Sequence, residues 1–303
     1  MSRRKLMGAI AALGVSFALG AIANADETFE PGQPIRYDGC AIVTISPTNE
    51  VQAQAVRLLE LRLMSCAEGR TCTDYLVTSG EMAVLRSIGV PLAVVTADVQ
   101  AAIDEERARL ERAGDAPRGS AWFEEYKTRD QIVTFFDELV AQRPDVITQE
   151  LIGMSLEGRE IYAYELTGPG GEPDRPALLF NGTQHAREWI SPMTLSFFAR
   201  ELVTGYGEDP EVTALLDGVK YLLVPIVNPD GYVYSWTTDR MWRKNRRDNG
   251  DGSFGVDPNR NWSFEWGGRD RAAGADRRRI VGRPRFPNRK RRRCGTTRWL
   301  TPR

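Results

Sequence analysis

Residues 176–189 read PALLFNGTQHAREW, and this stretch decides the fold class. Its first part, Ala177 to Phe180, is a continuous apolar run bounded by turn-forming residues, which is typical of a strand buried on both faces. Ser191 to Val203 then carries apolar residues at helical spacing, and Tyr221 to Val227 is a second apolar run. A strand, a helix and a strand in this order predict an α/β fold with a central mixed sheet flanked by helices.

The polar residues that follow these strands point to the functional site. Ligands of α/β sheets bind past the carboxyl ends of the strands, where His185 and Asn228 both fall. A catalytic zinc ion takes three protein ligands and leaves one position for water, and a His and a Glu three residues apart can face one ion. His185 and Glu188 have that spacing, although alone such a pair is more often a plain hydrogen bond. His185 is the only histidine of the chain.

Three further motifs accompany this pair, and together they carry a family resemblance. They are Asn228-Pro229-Asp230-Gly231-Tyr232, Arg240-Met241-Trp242-Arg243-Lys244 and Gly255-Val256-Asp257-Pro258-Asn259-Arg260-Asn261-Trp262. In this order after His185-Ala186-Arg187-Glu188-Trp189, they resemble the zinc metallocarboxypeptidases of the carboxypeptidase A/B type, peptidase M14. The resemblance covers residues 122–268, a partial catalytic domain. It implies a zinc cofactor and hydrolysis of C-terminal residues from peptides.

The resemblance also implies a role for each matching residue. His185 and Glu188 would be two of the three zinc ligands, and Arg243 would stabilise the oxyanion that develops during hydrolysis. An arginine suits this task because its guanidinium stays charged. The alternative for each arginine of the motifs is a solvated charge or a structural ion pair.

Substrate binding is implied for three more residues. Arg187 would belong to the outer substrate-binding surface, and Asn259 and Arg260 would bind the free carboxylate of the substrate. Arginine pairs with a carboxylate through two parallel hydrogen bonds, which lysine does not reproduce. The implied partners are therefore peptide or protein C-termini.

Three residues that the family requires have no counterpart in this chain. They are a second zinc-binding His, a substrate-contacting Tyr and a general-base Glu, all C-terminal to the Asn-Arg pair. After Glu265 the sequence holds neither another Glu nor any Tyr. Two protein ligands hold zinc poorly, and a bound water needs a positioned base. We therefore expect impaired or absent peptidase activity, and a non-catalytic peptide- or metal-binding remnant is the alternative function.

The last 35 residues differ sharply in charge from the rest of the chain. Residues 269–303 hold 13 Arg and one Lys against two Asp, whereas residues 1–268 hold 26 basic and 39 acidic residues. A disordered tail or a nucleic-acid-binding patch is one interpretation. If the tail is regrouped by one base, permitted codons from the last base of Asp276 to Thr297 spell SETYRGPAPFSEPETAAVRDY, which resembles the family segment after the Asn-Arg motif. Our hypothesis is a one-base frameshift between about Gly268 and Arg277. Because this hypothesis explains the excess of arginine, we rank nucleic-acid binding last among the functions and expect no nucleic-acid partner.

The N-terminus predicts export. Residues 1–25 have a basic start, an apolar run and an Ala-Asn-Ala cleavage site, the pattern of a signal peptide. We expect a secreted or periplasmic protein with no stable membrane span once the signal is removed. Twin arginines at positions 3 and 4 leave the export route open. Cys66 and Cys72 could close a small loop, but the odd number of cysteines before the tail fixes no pairing.

Between the signal and the catalytic part lies a small α+β region. Residues 26–112 predict short strands at Ala41–Ile45, Asp74–Val77 and Leu92–Val95, with helices over Glu50–Leu63, Glu81–Ile88 and Asp98–Arg112. This region resembles the prodomain that covers the active-site cleft in the family. Residues 113–121 have the composition of an exposed linker. The sequence predicts no oligomeric state.

Overall fold

The computed structural model of the chain describes residues 33–64, 73–114, 120–172 and 174–262. Contacts divide the chain into two units, Met1–Arg112 and Ala113–Arg303, so the division falls where the linker is predicted to begin. The predicted signal peptide, Cys66, Cys72 and the tail 269–303 lie outside the described residues. Within the described part, no helix combines the length and the apolar character needed to cross a membrane.

The first unit is an α+β layer built on one antiparallel sheet. Its elements are β1 (Cys40–Ile45), α1 (Glu50–Leu59), β2 (Arg62–Leu63), β3 (Thr73–Thr78), α2 (Ser79–Ser87), β4 (Leu92–Thr96) and α3 (Val99–Ala113). The strand order is β2-β3-β1-β4. Val43, Ile45, Val77 and Leu85 are at most 1% exposed and form the centre of its core. The unit therefore has a hydrophobic core of its own.

Helix α1 is shorter than predicted. The apolar spacing favours a helix from Glu50 to Leu63, but the helix ends at Leu59 because Glu60 adopts a left-handed conformation with φ of 50°. Arg62 and Leu63 then pair with β3 as a short strand. Their hydrogen bonds to the sheet replace those of another helical turn.

The second unit contains the mixed sheet that the sequence predicts. Its elements are a 3₁₀ turn (Ser120–Glu124), α4 (Arg129–Gln142), β5 (Ile147–Met154), β6 (Glu160–Leu166), β7 (Ala177–Asn181), α5 (Ile190–Gly205), α6 (Pro210–Gly218), β8 (Lys220–Val224), α7 (Pro229–Thr237) and a 3₁₀ turn (Pro258–Arg260). The strand order is β5-β6-β8-β7, with antiparallel pairs except for the parallel pair β7 and β8. The α/β fold class is confirmed.

Helix α4 shows how the sequence fixes the position of an element. Thr128 accepts a hydrogen bond from the backbone of Gln131, whose side chain accepts one from the Thr128 backbone, so a capping box starts the helix. The helix buries Phe136 completely and stacks its ring on Tyr164 of β6, with centroids 4.2 Å apart. A fully buried phenylalanine contributes about 1.5–3 kcal/mol, so this face of the helix is firmly anchored to the sheet.

Strand β7 is not buried on both faces as the sequence predicts. It lies at the end of the strand order, and Leu178, Leu179 and Phe180 are 47%, 61% and 39% exposed. Within the described residues no strand pairs with its outer edge, so the apolar run has a neighbour only in β8. Strand β8 is also shorter than the predicted run to Val227, because Pro225 lacks the N–H that a ladder needs.

Candidate active site

Two loops that follow β7 and β8 form the candidate site. Because the two strands are parallel, their carboxyl ends lie at the same edge of the sheet. The loops are joined there: Gly182 donates its N–H to the carbonyl of Val224 at 2.8 Å, and the Thr183 hydroxyl donates to the carbonyl of Pro225 at 2.8 Å. These two hydrogen bonds fix the backbone at the start of the loop that carries His185.

Thr183 itself is strained. Its φ of 55° places a β-branched residue in the left-handed region, which is rare for such a side chain. The backbone N–H of Thr183 donates to the hydroxyl of Ser191, and the residue is almost fully buried. Such strain persists only where surrounding contacts hold it, and here it turns the chain two residues before His185.

His185 is buried between two carboxylates. Its Nδ1 lies 2.9 Å from Oε1 of Glu188, and its Nε2 lies 3.2 Å from Oδ1 of Asp257. His185 and Asp257 are 4% and 3% exposed, whereas Glu188 is partly accessible. Both ring nitrogens therefore have a carboxylate partner, and the more accessible partner faces Nδ1.

Arg243 completes the cluster. Its Nε donates to Oδ2 of Asp257 at 3.1 Å, and its Nη1 lies 3.6 Å from Oε1 of Glu188. The carbonyl of Arg243 also accepts a hydrogen bond of 3.0 Å from the N–H of Ala186, next to His185. One guanidinium thus faces both carboxylates that contact the imidazole.

The cluster shifts two pKa values in opposite directions. Burial lowers the pKa of His185, but the hydrogen bonds to Asp257 and Glu188 outweigh it, so the pKa of this imidazole is raised. Burial would raise the pKa of Asp257, but the hydrogen bond to His185 and the charge of Arg243 hold it far below its usual range. The cluster thus places two carboxylates against the Arg243 guanidinium and an imidazole whose pKa is raised.

The same atoms fit part of a zinc site. Nδ1 of His185 and Oε1 of Glu188 are neighbouring ligand-type atoms 2.9 Å apart, and a carboxylate on the other ring nitrogen is the usual partner of a metal-binding histidine. Among residues 33–64, 73–114, 120–172 and 174–262, however, no group of three or more His, Cys, Asp and Glu side chains is arranged to hold a metal ion. The described residues therefore do not by themselves form a complete catalytic zinc site, which takes three protein ligands.

The residues expected to bind substrate lie around this cluster. Asn259 and Arg260 form the 3₁₀ turn directly after Asp257, whose Oδ1 accepts the N–H of Asn259 at 2.9 Å. Asn259 is exposed, and the partly exposed Arg260 donates to the carbonyl of Asn259. The carbonyl of Arg187 accepts a hydrogen bond from Arg240. Asp257 thus links the turn of Asn259 and Arg260 to His185.

The sequence motifs contain Asp257 of the cluster and the neighbouring Asn228, but they gave neither residue a role. Asp257 lies in the motif before Asn259, and a carboxylate two residues from the expected carboxylate-binding pair was the available signal. Asn228 caps α7 through Oδ1, which accepts the N–H of Gly231 at 3.1 Å, and its Nδ2 donates to two backbone carbonyls. No pattern in the sequence predicts the contacts of Asn228 with the carbonyls of Gln184 and Lys244.

Comparison with known proteins finds relatives of one kind. Carboxypeptidase A2 of Rattus norvegicus is 39% identical over 186 residues, which are 61% of this chain and 44% of the relative. The inactive metallocarboxypeptidase ecm14 of Talaromyces marneffei is 39% identical over 155 residues, 50% of this chain and 26% of the relative. The crystal structure of the carboxypeptidase A from Helicoverpa armigera superposes with a TM-score of 0.68 at 25% identity, covering 82% of this chain and 64% of that chain.

The chain spans less than half the length of either curated relative. A family model, peptidase M14 zinc carboxypeptidase, matches residues 132–286. This match includes the whole cluster around His185 and runs beyond Gly268, into the segment that the frameshift hypothesis assigns to another frame. The chain belongs to the zinc carboxypeptidase family, peptidase M14.

Proposed function

We propose that the protein is by family a zinc-dependent metallocarboxypeptidase, an enzyme that removes C-terminal residues from peptides. We further propose that its activity is impaired or absent in this chain, because the second zinc-binding His, the Tyr and the general-base Glu have no counterpart in the sequence. The observation that carries the proposal is the cluster of His185, Glu188 and Arg243, which Asp257 joins at 3.2 Å and 3.1 Å. It combines a pair of zinc-binding side chains with a fixed guanidinium at the ligand-binding edge of the sheet. Membership of the zinc carboxypeptidase family supports the same chemistry.

Each described residue has a task in this proposal. Bound zinc would polarise the scissile carbonyl and activate a water molecule. His185 and Glu188 would hold the ion, and Asp257 would orient His185 through Nε2. Arg243 is held by Asp257 with Nη1 near Glu188, where it can stabilise negative charge that develops on the substrate oxygen.

Substrate selection in this proposal falls to Asn259, Arg260 and Arg187. The first two would bind the free carboxylate, which limits cleavage to the last peptide bond. The exposed Asn259 and partly exposed Arg260 are accessible to such a ligand. We further propose export by residues 1–25 to a secreted or periplasmic location, supported by their signal-like pattern.

A non-catalytic peptide- or metal-binding protein is the second candidate. It is supported by the lack, among the described residues, of a group of three or more His, Cys, Asp and Glu side chains arranged to hold a metal ion, since catalytic zinc takes three protein ligands. Its other support is the similarity to a relative named as an inactive metallocarboxypeptidase. In this case Arg243 and Arg260 would bind a peptide that the chain does not cleave.

Hydrolysis and binding measured side by side separate the two functions. The full chain with added Zn²⁺ is incubated with an N-blocked peptide that has a free C-terminus and with the same peptide as a C-terminal amide. The proposed enzyme cleaves only the free acid and loses this activity in Glu188→Gln, whereas the exposed Glu201→Gln is the matched control. Binding of the free acid without cleavage favours the second candidate. If the chain neither binds nor cleaves the free acid, both functions are contradicted.

Sequencing of the encoding DNA from the codon of Trp262 past the stop codon tests the frameshift hypothesis. A second frame that supplies a His, a Tyr and a Glu would support it and would complete the catalytic residues. If correction by one base opens no such frame, the hypothesis is wrong. We then expect this chain to show no appreciable peptidase activity.

A further inference from the structure

Asn228 makes more contacts than a helix cap needs. A cap requires only a side-chain acceptor, which Ser, Thr or Asp supply equally well. Asn228 uses Oδ1 for this purpose, but its Nδ2 also donates to the carbonyl of Gln184 at 3.2 Å and to the carbonyl of Lys244 at 3.1 Å. Of the residues that cap helices, only asparagine offers an acceptor and two such donors together.

The two carbonyls are those next to the site. Gln184 directly precedes His185, and Lys244 directly follows Arg243. Asn228 is 4% exposed, so water does not compete for its amide, and loss of a buried donor would leave two carbonyls without that partner. The buried amide of Asn228 therefore links the loop of His185 and Glu188 to the segment that carries Arg243.

Gly231 shows that the approach of Lys244 is tight. A Cβ at position 231 would overlap the Lys244 carbonyl oxygen and both atoms of the Asn228 amide group. Gly231 is also the residue whose N–H Asn228 accepts. The first turn of α7 thus leaves room for the Lys244 carbonyl only because residue 231 has no side chain.

We propose that Asn228 is a positioning residue that sets the placement of His185 relative to Arg243 by binding the carbonyls of Gln184 and Lys244. The contacts close a ring through the site: Asp257 binds both His185 and Arg243, and Asn228 binds the residue next to each. A change at Asn228 is transmitted to the imidazole through the backbone. The placement itself does not depend on zinc, whereas its use in metal binding rests on the proposed function.

The single histidine gives a direct readout. In the full chain labelled with ¹⁵N-histidine, at one fixed pH and without metal, every imidazole signal comes from His185. Asn228→Ser and Asn228→Asp keep a cap acceptor and remove both N–H donors, so we expect the His185 ring signals to move or to split. Gly231→Ala adds a Cβ that would overlap both the Lys244 carbonyl and the Asn228 amide, so it disturbs the same contacts without replacing Asn228, and we expect a similar change.

The matched control is Asn49→Asp, which alters the exposed N-cap of α1, where Asn49 accepts the N–H of Gln52. Its His185 signals are expected to match the parent. Near-ultraviolet circular dichroism of the stacked Trp189 and Trp236 checks that each variant is folded. Unchanged His185 signals in a folded Asn228→Ser or Asn228→Asp chain overturn the proposal.

Zn²⁺ affinity, measured by competition with a chromophoric chelator, is the second readout. Loss of a group that supports a metal ligand weakens binding about 10–100-fold, and we expect this range for Asn228→Ser but not for Asn49→Asp. If the parent binds no Zn²⁺, the proposed metal function fails while the His185 signals still decide the positioning role. If the signals move and Zn²⁺ affinity is unchanged, the claim that Asn228 serves metal binding is wrong.

Discussion

At the scale of single residues, the proposed function depends on how the imidazole of His185 is held. His185 has a carboxylate on each ring nitrogen, but the two differ in burial and in partners. Asp257 is buried and also binds Arg243, whereas Glu188 is more accessible. In the proposed function the buried carboxylate would therefore orient the ring, and the more accessible Glu188 would share a metal ion with Nδ1.

We predict that Asp257→Asn weakens Zn²⁺ binding about 10–100-fold without removing a ligand, because the ring loses its charged orienting partner. Arg243 loses its ion pair in the same variant. Isothermal titration with Zn²⁺ measures the affinity. The control is Asp251→Asn, an exposed carboxylate of the same segment that binds only Ser253 in this structure. Equal affinities in the two variants would show that Asp257 does not orient the ligand.

A second residue-scale prediction concerns alkaline pH. Burial raises the pKa of Tyr232, whose hydroxyl donates to the carbonyl of Lys127 at 2.7 Å. In the unfolded chain a tyrosine releases its proton near about pH 10, so above this pH the unfolded state binds fewer protons than the folded state. The stability that neutral Tyr232 contributes is therefore complete below this pH and is lost as pH rises above it.

Urea unfolding at pH 8 and at higher pH tests this sign. The free energy of unfolding should fall by up to about 1.4 kcal/mol per pH unit for each such tyrosine above pH 10. The free energy of unfolding of Tyr232→Phe should fall less steeply with pH. At pH 8 it should be about 1 kcal/mol lower than that of the parent, because the Lys127 carbonyl loses a donor. Parallel slopes for parent and variant would contradict the role given to Tyr232.

At the scale of elements, the sequence predicted well wherever the local signal is complete. The apolar patterns of residues 177–180, 191–203 and 221–227 predicted β7, α5 and β8 in the correct order, because such a pattern is a property of each segment alone. Burial of β7 could not be predicted, because it depends on a neighbouring strand. The contacts of Asn228 with Gln184 and Lys244 escaped prediction for the same reason, since they join residues 44 and 16 positions apart.

The apolar outer edge of β7 leads to a prediction about association. An edge strand with exposed apolar side chains can pair with another chain, and a lysine at such an edge prevents this. Leu179→Lys should therefore slow aggregation, measured by light scattering, while the free energy of unfolding changes by less than about 0.5 kcal/mol. Leu223→Lys in the buried β8 is the contrast, and it should destabilise strongly because it buries an unpaired charge. Faster aggregation of Leu179→Lys would argue that its side chain is covered in the protein.

At the scale of the whole molecule, the chain consists of two units whose cores are separate in sequence. The first is centred on Val43, Val77 and Leu85, and the second on the sheet β5-β6-β8-β7 with its helices. The site residues, from Thr183 to Arg260, all belong to the second unit. Ligands of the site and mutations in the first core should therefore act on different parts of the molecule.

We predict two thermal transitions in the full chain, one for each unit, because each unit buries its own apolar core. Leu85→Ala should destabilise only one of them, by about 2–5 kcal/mol, since Leu85 is fully buried in the first core. Zn²⁺ at about 100 times its dissociation constant should stabilise only the other, by about 2.7 kcal/mol. His185→Gln should abolish the stabilisation of the second unit by Zn²⁺ and leave the thermal transition of the first unit unchanged. Scanning calorimetry of the parent and both variants measures all three effects, and a single transition shifted by Leu85→Ala and Zn²⁺ alike would show that the two units unfold together.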